Sequence, residues 1–279
     1  MKFKDILAIV TSQVRDEHTI AFAEQLAKQN SGHLSGVVVN WIPALPLAVE
    51  GYVADPMWGE MVNQVKKDLN LETAKVKQRL TRNMDGSVVE SLLLEFGAAR
   101  SILGMHARHA DITIIGRPSS VTSDASHALL EGPLFESGRP IIVIPPEWKP
   151  REIGRSVLVC WKSTREAARA LGDADDFLAV AHRVTVVTVD AKPSEDGYGA
   201  HPGSDICTHL ARRGVKVELV NLDSTGRSET RAIQDQALAV GADLIVMGGY
   251  GRSRMSEFIF GGVTREMLKT STFPVLMAH

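Results

Sequence analysis

The chain has 279 residues, 44% of them hydrophobic and 23% charged, an ordinary globular composition with length for about two domains. Its 31 basic residues stand against 33 acidic ones, and a net charge of −2 excludes the basic footprint of a nucleic-acid binder and a polybasic membrane patch. No apolar run approaches the roughly 18 residues of a membrane span, and the start MKFKDILAIV lacks the apolar stretch of a secretory leader, so a soluble, cytoplasmic protein is expected.

Residues 6–10 read as a short apolar strand, followed by a helical pattern over 16–29 and a second strand at 37–40. The prolines after Trp41 break regular structure, and a long loop leads into a helix over 61–82. A third strand at 88–95, a helix at 100–109, a fourth strand at 112–115 and a fifth at 140–144 complete the first half. Strands alternating with helices point to βαβ units and a parallel sheet.

The second half repeats the order. Strands are expected at 156–161, 184–189 and 215–220, with helices at 165–178, 205–213 and 229–240. ADITIIG (110–116) aligns with ADLIVMG (242–248), and RPIIVIPP with FPVLMAH. The chain therefore reads as two copies of one five-stranded α/β unit, residues 1–147 and 153–279. Cys160 and Cys207 lie in separate elements without metal-ligand or redox spacing, as free thiols of a reducing compartment do.

The most informative stretch is LIVMGGYGRSRMSEFIFGGVT, residues 244–264. Four uninterrupted apolar residues suit a strand buried on both faces. They stop at Gly248, Gly249 and Gly251, and a second pair, Gly261 and Gly262, opens a helix. A glycine turn at a strand's carboxyl end and a glycine-led helix N-terminus both expose backbone N–H groups suited to an anion.

The spacing Gly248-x2-Gly251-x9-Gly261, after GADLIVMG and before FPVLMAH, resembles the nucleotide-binding motif of the universal stress protein family, in its tandem-domain form. The resemblance covers nearly the whole chain. It implies an adenine nucleotide alpha hydrolase-like α/β fold: two tandem doubly wound five-stranded parallel sheets, each of strand order 3-2-1-4-5. It also implies that the two last strands, residues 141–144 and 275–278, pair internally and make the units a pseudo-dimer. By the same resemblance the C-terminal half binds ATP, with or without Mg²⁺, or AMP or ADP. Backbone amides around Gly248, Gly251, Gly261, Gly262 and Val263 would face the phosphates, and Thr264 would add a hydroxyl and Arg252 a cation. The backbone of Val189 would meet adenine, and Met247 and Lys162 would also belong to the site. Two positions depart from the family: Gly262 stands where Ser or Thr is usual, and Lys162 where an acidic residue faces the nucleotide. Ser163 and Glu166 are spaced as a helix capping box.

The N-terminal half keeps only the first glycine of the motif, as Gly116-Arg117-Pro118-Ser119, and no nucleotide is expected there. His106 and His109 share a helix face without an evident third metal ligand, and no G-x-S-x-G or acid–base pair marks a catalytic centre. The implied function is a stress-response regulator whose nucleotide orders residues 249–260 and alters a surface seen by an unidentified protein partner. The alternatives are slow Mg²⁺-dependent ATP hydrolysis, or a scaffold that has lost nucleotide binding.

Overall fold

The structure, a computed structural model, describes residues 3–43, 56–118, 124–193, 199–249 and 262–279. The strands form where continuous apolar runs can be buried on both faces. β1 (Asp5–Val10), β4 (Ile112–Gly116), β5 (Ile141–Ile144), β9 (Leu244–Gly248) and β10 (Val275–Ala278) have nearly all their residues buried. β2 (His33–Trp41), β6 (Ser156–Cys160) and β7 (Arg183–Val189) flank them, with β3 (Val88–Leu94) and β8 (Val217–Leu222) more exposed.

All ten strands belong to one sheet of order β3-β2-β1-β4-β5-β10-β9-β6-β7-β8. Each half is parallel and runs 3-2-1-4-5, as expected, and the halves meet antiparallel at β5 and β10. Val275 faces Val143, Leu276 faces Ile142 and Met277 faces Ile141. The two would-be edge strands thus satisfy each other's backbone groups and remove an aggregation hazard.

The repeat extends to individual hydrogen bonds. Asp111 accepts the main-chain N–H groups of Lys4 and Asp5, and Asp243 those of Gly154, Arg155 and Ser156. The N–H groups of Asp111 and Asp243 bond back to the carbonyls of Asp5 and Ser156. The Ala-Asp pair before each fourth strand therefore pins that strand to the first one of its own half.

Helices cover both faces. On one, Phe22 and Leu26 of α1 (Glu17–Asn30), Val76 and Leu80 of α2 (Pro56–Asn83), and Ala170 and Leu171 of α5 (Arg165–Asp173) pack against Ile6, Ala8, Val157 and Val159. On the other, Leu103 of α3 (Phe96–Ala107), Leu130 of α4 (Asp124–Glu131), Ile233 of α8 (Glu229–Ala239) and Met267 of α9 (Gly262–Thr270) cover Leu7, Ile9 and Leu158. Each layer runs unbroken across the junction of the halves. Short helices α6 (Asp175–Val180) and α7 (Ser204–Arg212) complete the second half.

Several element bounds shift from the sequence expectation, as with α2, which starts at Pro56 rather than residue 61, and three local features have a visible physical cause. The helix expected at 165–178 is two, because a new N-terminus starts after Ala174, where Asp175 and Asp176 suit the positive end of a helix dipole. Residues 124–136, assigned no element, form α4 and a π-helical turn, Gly132–Glu136. Pro133 lacks the N–H of an ordinary helical turn, and the wider turn absorbs it. Gly104 of α3 lies so close that a Cβ there would sit 2.6 Å from Glu136 Cβ and 2.9 Å from Gly132 O. Finally α3 ends at Ala107, so His109 is past the helix and shares no helix face with His106, whose Nδ1 lies 3.8 Å from Glu90.

Candidate functional site

In a doubly wound sheet a ligand sits at the carboxyl ends of the strands where the order reverses. In the C-terminal half that point lies between β6 and β9. Cys160 pairs with Met247 on one side and with Val187 on the other. Continuing those registers brings Lys162, Val189 and the Gly248–Gly249 pair to one level of the sheet edge. Lys162 is exposed, Val189 and Gly248 are half-buried, and Met247 is 6% exposed with its side chain in the core, leaving its main chain to line the edge.

Gly248 is required by close approach. A Cβ on it would lie 2.6 Å from the backbone nitrogen of Ala167 and 2.7 Å from the carbonyl carbon of Glu166. The first turn of α5 thus rests directly on the end of β9. Its cap is Thr164, whose hydroxyl accepts from Ala167 N at 3.3 Å, so the expected role of Ser163 falls one residue later. Glu166 is buried, its carboxylate bonded to Arg165 at 2.6 Å.

α9 begins at the same edge. The hydroxyl of Thr230, in the first turn of α8, donates to the Val263 carbonyl at 3.4 Å, and Ser228, the α8 cap, bonds Glu266 at 2.8 Å. Among the described residues nothing lies within 4 Å of where a Cβ on Gly262, the first residue of α9, would stand. A glycine-led helix N-terminus that no other described residue covers fits an anionic group. Val263 is half-buried, but Thr264 is 6% exposed and on the inward face of α9 with Met267 and Leu268. Its placement suits packing better than the hydroxyl contact expected of it. Gly251, Arg252 and Gly261 lie outside the described residues, as does most of the 249–260 segment.

The turn's opening residue is held from behind. Gly249 N–H donates to Ala278 O at 2.9 Å, and its carbonyl accepts from His279 Nδ1–H at 3.0 Å. A Cβ on Gly249 would meet Leu134 of the other half at 3.1 Å.

Sequence reasoning missed the rim beside Val189. Asp190 has a left-handed backbone, φ 49°, and its carboxylate accepts from the N–H and hydroxyl of Ser224, which hold its pKa below the usual range. An Asp after a strand, with Ser two residues beyond the neighbouring strand, was the available signal. Burial pushes the Cys160 thiol up to about 12, as befits an inert structural thiol.

The equivalent edge of the N-terminal half is occupied by its own side chains. Asp16 accepts the N–H groups of Thr11 and Ser12 at 2.6 and 3.0 Å and the Thr11 hydroxyl at 2.9 Å. A Cβ on Gly116 would meet Thr19 Oγ1, Asp16 Oδ1 and His18 Nε2 at 2.6, 2.9 and 3.3 Å. Arg117 turns away, donating to Ser271 O at 2.6 Å and to Glu147 at 3.2 Å.

Among the described residues no three His, Cys, Asp or Glu side chains group as metal ligands, and no helix is long and apolar enough to cross a membrane. A groove of about 350 Å³ between α8 and α9, lined by Arg231, Leu238 and Phe273 among others, lies on the helical face, away from the strand ends.

Residues 154–279 match the model of the Universal stress protein family. Similar solved structures include a universal stress protein from Archaeoglobus fulgidus DSM 4304 (14% identity, 98% of this chain and 97% of that one, TM-score 0.66). A functionally unknown protein from Pseudomonas aeruginosa PAO1 superposes with TM-score 0.55 (13% identity, 99% and 92% covered). The cytoplasmic domain of a prokaryotic cation chloride cotransporter does so with TM-score 0.50 (9% identity, 99% and 96% covered). At these identities the likeness is one of fold. No curated protein matches the chain.

Proposed function

We propose, from the premise that residues 154–279 are a universal stress protein domain, that this chain is a cytoplasmic stress-response regulator binding ATP or a related adenine nucleotide in that domain. Residues 1–147 form a second domain of the same fold that holds no nucleotide, and the two make an internal pseudo-dimer. The observation that carries the reading is the N-terminus of α9 at Gly262, covered by none of the described residues, at the edge where Gly248 brings α5 onto β9.

The residues present fit a polyphosphate better than they fit adenine. Main-chain N–H groups at Gly248 and at the start of α9 are the donors, with Gly251, Arg252, Gly261 and Val263 assigned to the same group by the motif. Thr264 belongs to the same group as a residue of the first turn of α9. At the base end, Val189 offers main-chain groups, while Lys162 presents a cation in place of the family's carboxylate. The phosphates therefore supply most of the binding, and affinity rises with their number.

Isothermal titration of the full chain with ATP and AMP, with and without Mg²⁺, tests this. Saturable binding at one site per chain, tighter for ATP, is expected. A second reading, a scaffold without nucleotide, draws on the buried position of Thr264. Titration without heat for either nucleotide selects it, and Mg²⁺-dependent phosphate release above background selects slow hydrolysis instead.

A further inference from the structure

The proposed phosphate-binding parts of the C-terminal half are braced, at both ends, by residues of the N-terminal half. At one end Arg117, whose side chain is 16% exposed, donates to the carbonyl of Ser271 at 2.6 Å. Ser271 is itself 3% exposed and directly follows α9, the helix that opens at Gly262. A guanidinium there satisfies a carbonyl at the helix C-terminus and sits at the negative end of its dipole.

At the other end the Gly249 carbonyl, just past β9, takes the Nδ1–H of His279. A carbonyl only accepts, so Nδ1 of His279 carries a proton. The imidazole stands edge-on to Phe135 of the π-helical turn, with centroids 4.8 Å apart at 87°. Phe135 carries Arg100 over its ring at 5.5 Å, and Arg100 is tied to Glu131 and Glu136 at 3.1 and 2.8 Å. Leu134 fills the space beside Gly249. The N-terminal half thus grips the first residue of the glycine turn and the last turn of α9.

We infer that the N-terminal half is the positioning partner of the C-terminal site, with Arg117 setting α9 and Phe135, through His279, setting the glycine turn. This rests on the nucleotide reading above. Arg117 and Phe135 are not among the residues assigned to the nucleotide, and they act through Ser271 and His279. Their effect falls on the groups that face phosphate rather than on Val189 at the base end.

The test is titration of the full chain with ATP and with AMP for native protein and for Arg117→Ala, Phe135→Leu, Arg117→Lys and Glu147→Gln. Arg117→Ala and Phe135→Leu each weaken ATP about five-fold and AMP less. Arg117→Lys, which keeps a cationic donor, recovers most of the affinity. Glu147→Gln, which removes only the other partner of Arg117, leaves it unchanged. A general loss of stability would weaken both nucleotides alike, and that outcome, or native affinity in both variants, overturns the inference alone. Absence of ATP binding by the native protein overturns the nucleotide reading and the inference with it.

Discussion

Gly248→Ala probes the contact on which the geometry of the site rests. The added methyl would lie 2.6 Å from Ala167 N, 2.7 Å from the Glu166 carbonyl carbon and 3.0 Å from Ala167 Cα. All three are backbone atoms at the start of α5, so no rotamer change relieves them. The helix must shift by roughly 0.8 Å to restore ordinary contact, or β9 must move between its partners β6 and β10, and overpacking of this kind costs about 1–3 kcal/mol. Its φ is not in the left-handed region, so the penalty is one of space alone. Urea unfolding of native and variant protein measures the loss, and a lowered midpoint with an unchanged m-value is expected. Gly262→Ser is the counter-experiment: with none of the described residues within 4 Å it fits without strain and is expected to tighten ATP binding by supplying a hydroxyl. A Gly248→Ala protein as stable as native would refute the close-approach reasoning.

Asp243→Ala leaves the N–H groups of Gly154, Arg155 and Ser156 without their acceptor and is expected to cost about 2–4 kcal/mol. The matching Asp111→Ala frees two N–H groups at a more exposed edge and should cost less in the same unfolding assay. Burial depresses the pKa of His18, against the pull of Asp16, Glu147 and Glu17 and with that of Arg117. Below pH 6.5 the unfolded chain therefore binds a proton that the folded chain resists, and stability falls as pH falls through that window. Replacing His18 with Gln should flatten the slope between pH 7 and the folded pKa, and an unaltered slope would place its origin elsewhere. With its pKa raised to about 12, Cys160 should resist alkylation at pH 8 in the folded protein and react once unfolded, as mass spectrometry of the labelled chain would show.

The strands were legible because a parallel strand covered on both faces must be an apolar run, and residues 112–115, 141–144, 244–247 and 275–278 are little else. The pairing of β5 with β10 came from the family resemblance, and it covers two apolar runs that would otherwise be bare edges. The α4 and π-helical segment was not legible, since Gly132-Pro133 reads locally as a break and only the close approach of α3 makes it a turn worth forming. At the site, Gly248 could be read from spacing. The burial of Thr264 depends on where α9 begins: with its start at Gly262, residues 264, 267 and 268 fall on one inward face. The cap at Thr164 rather than Ser163 turns on a one-residue difference in the same way. Arg117 and His279 carried no signal of their roles, because each acts across the junction of the halves.

That junction explains how one repeated unit came to hold two different edges. Arg117 and Gly249 each follow the fourth strand of their half, and each N–H bonds to the last strand: to Ile144 O at 2.7 Å and to Ala278 O at 2.9 Å. Beyond this shared bond the two residues reach different partners. Glycine at 249 admits Leu134 beside it and gives its carbonyl to His279, so this residue is supported from both sides. Arginine at 117 reaches over to Ser271 while Asp16, His18 and Thr19 fill the edge it leaves. Two separate chains of one sequence could not place an arginine at one such position and a glycine at the other. Covalent repetition permits it, and the half whose edge is filled by its own side chains places Arg117 against Ser271 and Leu134 against Gly249 of the other.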